Sequence, residues 1–177
     1  MQNKRRGILI SFEGIDGSGK STQIKLIKEY FDKNKKKVVY TREPGGTYEA
    51  EFIRKLILSK NKKIKFDKKT EILLLLAARY EHYKKLIEPA LLSGKIIICD
   101  RFIDSTLAYQ CTGNNELKKF YLKVSKSLIN NFTPDLTILL DISPNKAVER
   151  IYKRKINNIY DNKSVIFFSK VRKCYNQ

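Results

Sequence analysis

At 177 residues the chain can bury one sizeable core but not two comfortable ones, so a single domain is expected. Its 37 Lys and Arg against 18 Asp and Glu give a formal net charge of +19, compatible with a nucleic-acid surface or with anionic small substrates. Cys99, Cys111 and Cys174 are odd in number and form no C-x-x-C pair, which argues against a disulfide frame or zinc site and fits a reducing cytoplasm.

The basic residues are spread along the whole chain, and Asn and Ile are abundant with them, as AT-rich codons produce whatever the function. Runs such as residues 35–37 and 60–63 fall beside expected element ends, where solvated charge is ordinary. No specific nucleic-acid partner is therefore expected. The first residues, basic and then apolar, superficially resemble a secretion signal, but Glu13 and a glycine-rich loop interrupt the run before a full apolar core forms. The longest apolar run, residues 72–78, is much too short to span a bilayer, so no membrane partner is expected.

In chain order, residues 8–12 form a buried-strand run, and Ile24, Ile27 and Phe31 recur behind it at helical spacing. Between them, residues 14–21 read Gly-Ile-Asp-Gly-Ser-Gly-Lys-Ser, a full match to the phosphate-binding loop G-x-x-x-x-G-K-[ST] in its strand-loop-helix context. Gly14, Gly17 and Gly19 let the backbone turn its N–H groups toward phosphate oxygens, and the helix opening near Lys20 adds its positive dipole end. Lys20 supplies charge for the β/γ-phosphates and Ser21 an oxygen for Mg²⁺. A nucleoside triphosphate is thus the expected ligand.

Residues 38–41 predict a second strand, 42–47 the loop at its carboxyl end, and 48–58 a helix presenting Phe52, Leu56 and Ile53 on one side. A longer helix is expected from the N-cap Asp67 to about Leu92, with Pro89 as a kink and Gly94 as its stop. Residues 96–99 predict a third strand, unalternating as parallel strands are, and 136–140 a fourth. Ser143-Pro144 then caps a helix through Arg150. This alternation calls for an α/β fold with a parallel sheet, helices on both faces, and ligands at the strands' carboxyl ends. Asp100 ends the third strand beside the expected phosphates, where a carboxylate holds Mg²⁺ directly or through water, and Arg101 follows as a planar fork for a phosphoryl group.

Four blocks in order carry a specific resemblance: FEGIDGSGKST at residues 12–22, TREPGGT at 41–47, AAR at 77–79 and DRFIDSTLAYQ at 100–110. Together they resemble the bacterial thymidylate kinases, over residues 8–175, and imply a P-loop fold that transfers the γ-phosphoryl of ATP to thymidine monophosphate (dTMP) with Mg²⁺. The resemblance implies that Gly14, Ile15, Asp16, Gly17, Ser18, Gly19, Lys20, Ser21 and Thr22 hold the ATP phosphates, and that Arg150 contacts adenine. Asp16 would accept from the deoxyribose 3′-hydroxyl and help organise Mg²⁺. Arg42 and Arg101 would hold the acceptor phosphate, keeping its nucleophile close despite mutual repulsion. On the acceptor side the resemblance also places Arg54 and Ser105, with Arg79 on a thymine carbonyl, Thr106 and Gln110 in the base pocket, and Tyr109 crowding the ribose 2′ position. His82, one turn beyond Arg79, reads as a helix-face residue rather than a metal ligand. Residues 150–163 resemble a mobile lid whose Lys153, Arg154 and Lys155 supply basic charge. Because residues 15–18 carry no Lys or Arg, the transition-state cations fall to Lys20, Arg101 and the lid, with Arg154 the lid candidate.

Three departures stand against the family pattern. Leu75 occupies a position where Phe commonly stacks on thymine, and Leu has no π face. Asn158-Ile159-Tyr160-Asp161 replaces a D-R-x-E-like pattern, moving the lid cation away from residue 159. The chain ends at Gln177, short of the fifth strand and terminal helix usual in the family, which would leave a sheet edge and part of the adenine pocket open. The resemblance further implies a homodimer. The rival readings are another nucleotide or nucleoside kinase, and a catalytically weak nucleotide- or RNA-binding protein.

Overall fold

The computed structural model describes residues 6–59, 61, 63–130, 132–153, 160 and 163–177. Four strands, β1 (Ile8–Glu13), β2 (Val38–Arg42), β3 (Ile96–Asp100) and β4 (Leu136–Leu139), pair in the order β2-β3-β1-β4, every pair parallel. The register sets Phe12 and Arg42 both opposite Asp100, so the carboxyl ends of the three consecutive strands open at one level. Side-chain alternation sends Leu9, Ile97 and Cys99 to one face of the sheet, where they pack with Ile87, Leu91 and Phe102. Phe12 and Ile98 go to the other, beside Leu26, Ile27 and Phe31 of α1 (Lys20–Lys33). Helices therefore cover both faces. At the sheet edge, β4 leaves Leu136 and Leu139 exposed.

Asp67 caps α3 (Lys68–His82), its carboxylate accepting from the Lys69 N–H. The expected long helix is present to Leu92, but its break takes the form of a π-helical turn over Tyr83–Ile87, in which the Glu88 N–H bonds to Tyr83 C=O, leading into α4 (Glu88–Leu92). The turn lies immediately before Pro89, which has no N–H to offer the carbonyl four residues back, and the wider turn re-routes the ladder there. Gly94 at φ 73° stops the helix, with Lys95 N–H on Ala90 C=O and Gly94 N–H on Leu91 C=O.

The face expected for α2 (Tyr48–Ile57) is rotated. Phe52 is 69% exposed, while the buried residues are Ala50 and Ile57, two turns apart. The helix packs on α3, and its buried side carries Ala50 and Ile57 rather than Phe52. Three further helices, α5 (Ile103–Gln110), α6 (Asn115–Ile129) and α8 (Val165–Tyr175), join α7 (Pro144–Tyr152). One cluster, with Ala108, Ala147, Ile151, Phe168 and Val171, ties α5, α7 and α8 together; another, with Ile72, Leu76, Leu117 and Tyr121, ties α3 to α6. No helix among the described residues is long and apolar enough to cross a membrane.

Candidate active site

The glycine-rich loop leaves β1 with Gly14 at φ 135° and Gly17 at φ 82°. A Cβ at Gly14 would stand 2.5 Å from Leu140 C=O, just past β4, and one at Gly17 2.6 Å from Ala147 C=O within α7, so the loop is pressed against both and only glycine fits. Gly19 begins α1, leaving the first-turn N–H groups directed at the loop's concavity. Lys20 is buried and folds back to donate to Gly14 C=O at 2.9 Å and Ile15 C=O at 3.1 Å. Burial and the neighbouring Arg101 charge push its pKa down to about 8. Arg150, at the end of α7, donates to Gly17 C=O at 3.2 Å, which puts it on the donor side of the loop.

Asp100 ends β3 with Oδ1 buried and without a hydrogen-bond partner among the described residues, and Ser18 Oγ is likewise unpartnered. Ser21 and Asp100 line one cleft together, and Asp100 also lines a second. Into that second cleft project all ten residues expected on the acceptor side: Asp16, Arg42, Arg54, Leu75, Arg79, Arg101, Ser105, Thr106, Tyr109 and Gln110. They arrive from the phosphate loop, the end of β2, α2, α3, the end of β3 and α5.

Arg101 has φ 71°, a left-handed conformation for a bulky residue, at the turn from β3 into α5. Its NH2 donates to Asp16 Oδ1 at 2.7 Å, and its guanidinium lies 5.0 Å from the Tyr109 ring centroid. Tyr109 donates its hydroxyl to Asp16 Oδ2 at 3.0 Å and accepts from the Asp16 backbone N–H at 3.0 Å, so with Arg101 on Oδ1 both carboxylate oxygens are held. Burial works against the Asp16 charge, but Arg101 and Lys20 hold its carboxyl below the ordinary range. Arg42 pairs with Glu51 of α2 through Nε and NH2, with contacts of 3.0–3.3 Å. Arg54 reaches back to Pro44 C=O at 2.7 Å.

Arg79 is wholly enclosed. Nε donates to Glu43 Oε2 at 2.6 Å, NH1 to the Tyr121 hydroxyl at 2.7 Å, and NH2 to Phe102 C=O at 3.0 Å and Thr106 Oγ1 at 2.9 Å. This occupies four of its five N–H groups. His82 is completely buried, which corrects its reading as a helix-face residue: Nδ1 meets Glu43 Oε1 at 3.1 Å and Nε2 meets Thr41 Oγ1 at 2.7 Å. A buried carboxylate needs partners on both oxygens, and His82 supplies the second. Gln110 donates to Glu71 Oε1 and to the Tyr160 hydroxyl, both at 3.0 Å, and Tyr160 donates to Glu71 at 2.7 Å, closing the far end of the cleft.

Lys153 is exposed and paired with Glu149 on its own helix. Arg154, Lys155, Asn158, Ile159 and Asp161 lie outside the described residues. The motifs did not reveal Glu13, Glu43, Glu71, Tyr121 and Tyr175. Glu13 and Glu43 stand inside the first two sequence blocks, and an acidic residue embedded among apolar or turn residues was the available signal.

The thymidylate kinase family model matches residues 12–177. Thymidylate kinase from Orientia tsutsugamushi (strain Ikeda) is 45% identical over 183 residues, spanning 100% of this chain and 82% of the relative. That from Wolbachia pipientis wMel is 45% identical over 172 residues, 96% of this chain and 84% of the relative. The crystal structure of thymidylate kinase from Ehrlichia chaffeensis superimposes with a TM-score of 0.74 at 35% identity, covering 97% of this chain and 85% of that one. A phosphate loop closed on its own lysine, with an acceptor cleft beside it and this fold beneath both, agrees with these likenesses: the chain belongs to the thymidylate kinase family and has its P-loop α/β fold.

Proposed function

We propose that this chain is a cytoplasmic kinase that moves the γ-phosphoryl group of ATP to the 5′-phosphate of dTMP, as one P-loop domain with a lid near residues 150–163. The observation carrying this reading is the convergence of ten acceptor-side residues on a cleft that meets the phosphate loop at Asp16 and the end of β3 at Asp100. An acceptor-phosphate oxygen forms the new bond to the γ-phosphorus while the bond to the β–γ bridging oxygen breaks, giving dTDP and ADP. Both partners are anionic, so cations must gather at their junction. Lys20, already desolvated, exchanges the Gly14 and Ile15 carbonyls for phosphate oxygens. Arg101 and Arg42 neutralise the acceptor phosphate, and Arg54 adds charge from α2.

Asp16 is held by Arg101 and Tyr109 with its carboxylate at the cleft wall, placed to accept from the deoxyribose 3′-hydroxyl. Thr106 and Arg79, which line the same cleft, would meet the base, and the Tyr109 ring would crowd the 2′ position. The unpartnered Asp100 Oδ1, near Ser21, fits a small oxygen-seeking cation bound mostly by phosphates and water. Ser21 and Asp100 would hold Mg²⁺, which supplies charge neutralisation on the triphosphate. Tyr48 and Phe52, one turn apart on α2 with their rings exposed, offer an apolar row to the homodimer that family resemblance implies. No specific nucleic acid is assigned as a partner.

Steady-state kinetics of purified, folded variants test the assignment. Lys20→Ala and Arg101→Ala should each lower turnover by about two orders of magnitude or more, the size expected for removing a preorganised charge. Near-normal turnover in either variant would remove that residue from the chemistry.

A further inference from the structure

Arg101 is held from behind by a cluster in which Ser105 borders the cleft while Glu13 and Tyr175 do not. Its NH1 group points away from the NH2 contact with Asp16 and approaches Gly14 C=O at 3.0 Å, Ser105 Oγ at 3.0 Å and the Tyr175 hydroxyl at 3.2 Å. Behind those hydroxyls lies Glu13, fully buried at the end of β1. Its Oε1 accepts from the Phe102 N–H at 2.6 Å, while Oε2 accepts from Ser105 Oγ at 2.6 Å and from the Tyr175 hydroxyl at 3.1 Å. The two hydroxyls are 2.8 Å apart.

The polarity of this cluster runs one way. A carboxylate has only acceptors to offer, so it draws hydroxyl hydrogens toward itself and leaves hydroxyl lone pairs for the guanidinium. The same carboxylate captures the N–H immediately after Arg101, and the Arg101 N–H bonds to Phe12 C=O at 2.9 Å. Glu13 thus braces both the left-handed backbone at Arg101 and the end of its side chain. Tyr175 comes from the last turn of α8, so a helix about 70 residues downstream contributes to the arginine's setting.

We propose that Glu13 and Tyr175 are positioning residues for phosphoryl transfer, holding the Arg101 guanidinium in the one orientation that presents NH2 to Asp16 and the acceptor phosphate. The inference rests on the reading of Arg101 as the acceptor-phosphate cation. Neither Glu13 nor Tyr175 lines the acceptor cleft, so their effect passes through Arg101. A misplaced reacting group costs turnover more than it costs binding of the distant nucleotide.

The test is a kinetic cycle on the full chain with ATP and dTMP. Tyr175→Phe keeps the ring and removes the hydroxyl, and kcat should fall roughly ten- to hundredfold while the KM for ATP stays within about twofold. Glu13→Gln puts an N–H₂ among three donors and should give the same selective loss; Tyr175→Phe alone suffices if that variant folds poorly. In an Arg101→Lys background, Tyr175→Phe should have no further effect, because the group it positions is gone. Unchanged kcat in a folded Tyr175→Phe protein, or the same fractional loss in both backgrounds, overturns the inference and leaves the role of Arg101 standing. Full turnover in Arg101→Lys and Arg101→Ala overturns the role of Arg101 and the inference with it.

Discussion

Lys20 is poised by its surroundings. It sits among backbone carbonyls and near Arg101, and burial together with that charge depresses its pKa to about 8. Bound phosphates favour the charged form and raise the pKa again. Nucleotide binding should therefore take up protons between about pH 8 and 10, and ATP affinity should fall as pH rises through 8 in wild type but less in Lys20→Ala. Titration calorimetry in buffers of different ionisation enthalpy measures the uptake. Binding with no proton exchange at pH 8.5 would mean that Lys20 stays charged without ligand.

Leu75 tests the base side of the cleft. It is buried and lines the cleft, yet lacks a ring to lie against thymine. Leu75→Phe should tighten dTMP about fivefold, the equivalent of roughly 1 kcal/mol for an aromatic pair, with ATP affinity unchanged. Weaker dTMP binding would show instead that the larger ring overpacks the pocket, at a cost of about 1–3 kcal/mol. Unchanged dTMP affinity in a folded variant would take Leu75, and Arg79 with it, off the base.

At the scale of elements, Glu43 joins the exit of β2 to α3 through Arg79 and His82. Burial opposes its charge, but Arg79 and His82 hold its pKa below the ordinary value. A depressed carboxylate contributes stability that is fully present above its unfolded pKa and is lost as pH falls through the folded one. Glu43→Ala leaves Arg79 buried without its counter-ion and should cost about 3–5 kcal/mol at neutral pH. The gap between wild type and variant should narrow below about pH 4.5, where the unfolded wild-type carboxyl takes up a proton. Urea unfolding at pH 7 and pH 4 compares the two, and an equal gap at both would detach the contribution from the carboxylate charge.

The strands and their order-giving motifs were readable because apolar runs bounded by Gly, Pro and Asp are local signals. α5 shows no helical hydrophobic period because its face is chemically mixed: Thr106, Ala108 and Gln110 are buried for contacts with α3 and the cleft. The rotated face of α2 is not readable from hydrophobicity, since Phe52 outranks Ala50 on that scale and yet Ala50 is the buried one. His82 shows the same limit at one position, because burial of a polar ring is stable only with partners supplied by Thr41 and Glu43, 41 and 39 residues away.

Across the whole molecule, the parallel sheet brings its chemistry to one edge. β1, β2 and β3 end level, and the loop, Arg42, Asp100 and Arg101 follow directly from those ends. The crevice lies between the carboxyl ends of β1 and β3, whose chain connections run on to β2 and β4 at opposite edges of the sheet. The cleft lined by Asp16, Arg79 and Arg101 and the one that holds Ser21 share Arg42 and Asp100 beside the phosphate loop, and under the proposed function the fold's contribution is to hold two mutually repelling anions in line.

The most direct measurement is a coupled assay of ADP formation with ATP, Mg²⁺ and a panel of acceptors: the monophosphates of thymidine, deoxyuridine, ribothymidine, uridine, cytidine and guanosine. Phosphorylation of dTMP with kcat/KM well above every ribonucleotide is the predicted result, with the ribothymidine gap narrowed in Tyr109→Ala. Preference for another monophosphate, or ATP binding without transfer to any of them, would contradict the assignment of this cleft to dTMP.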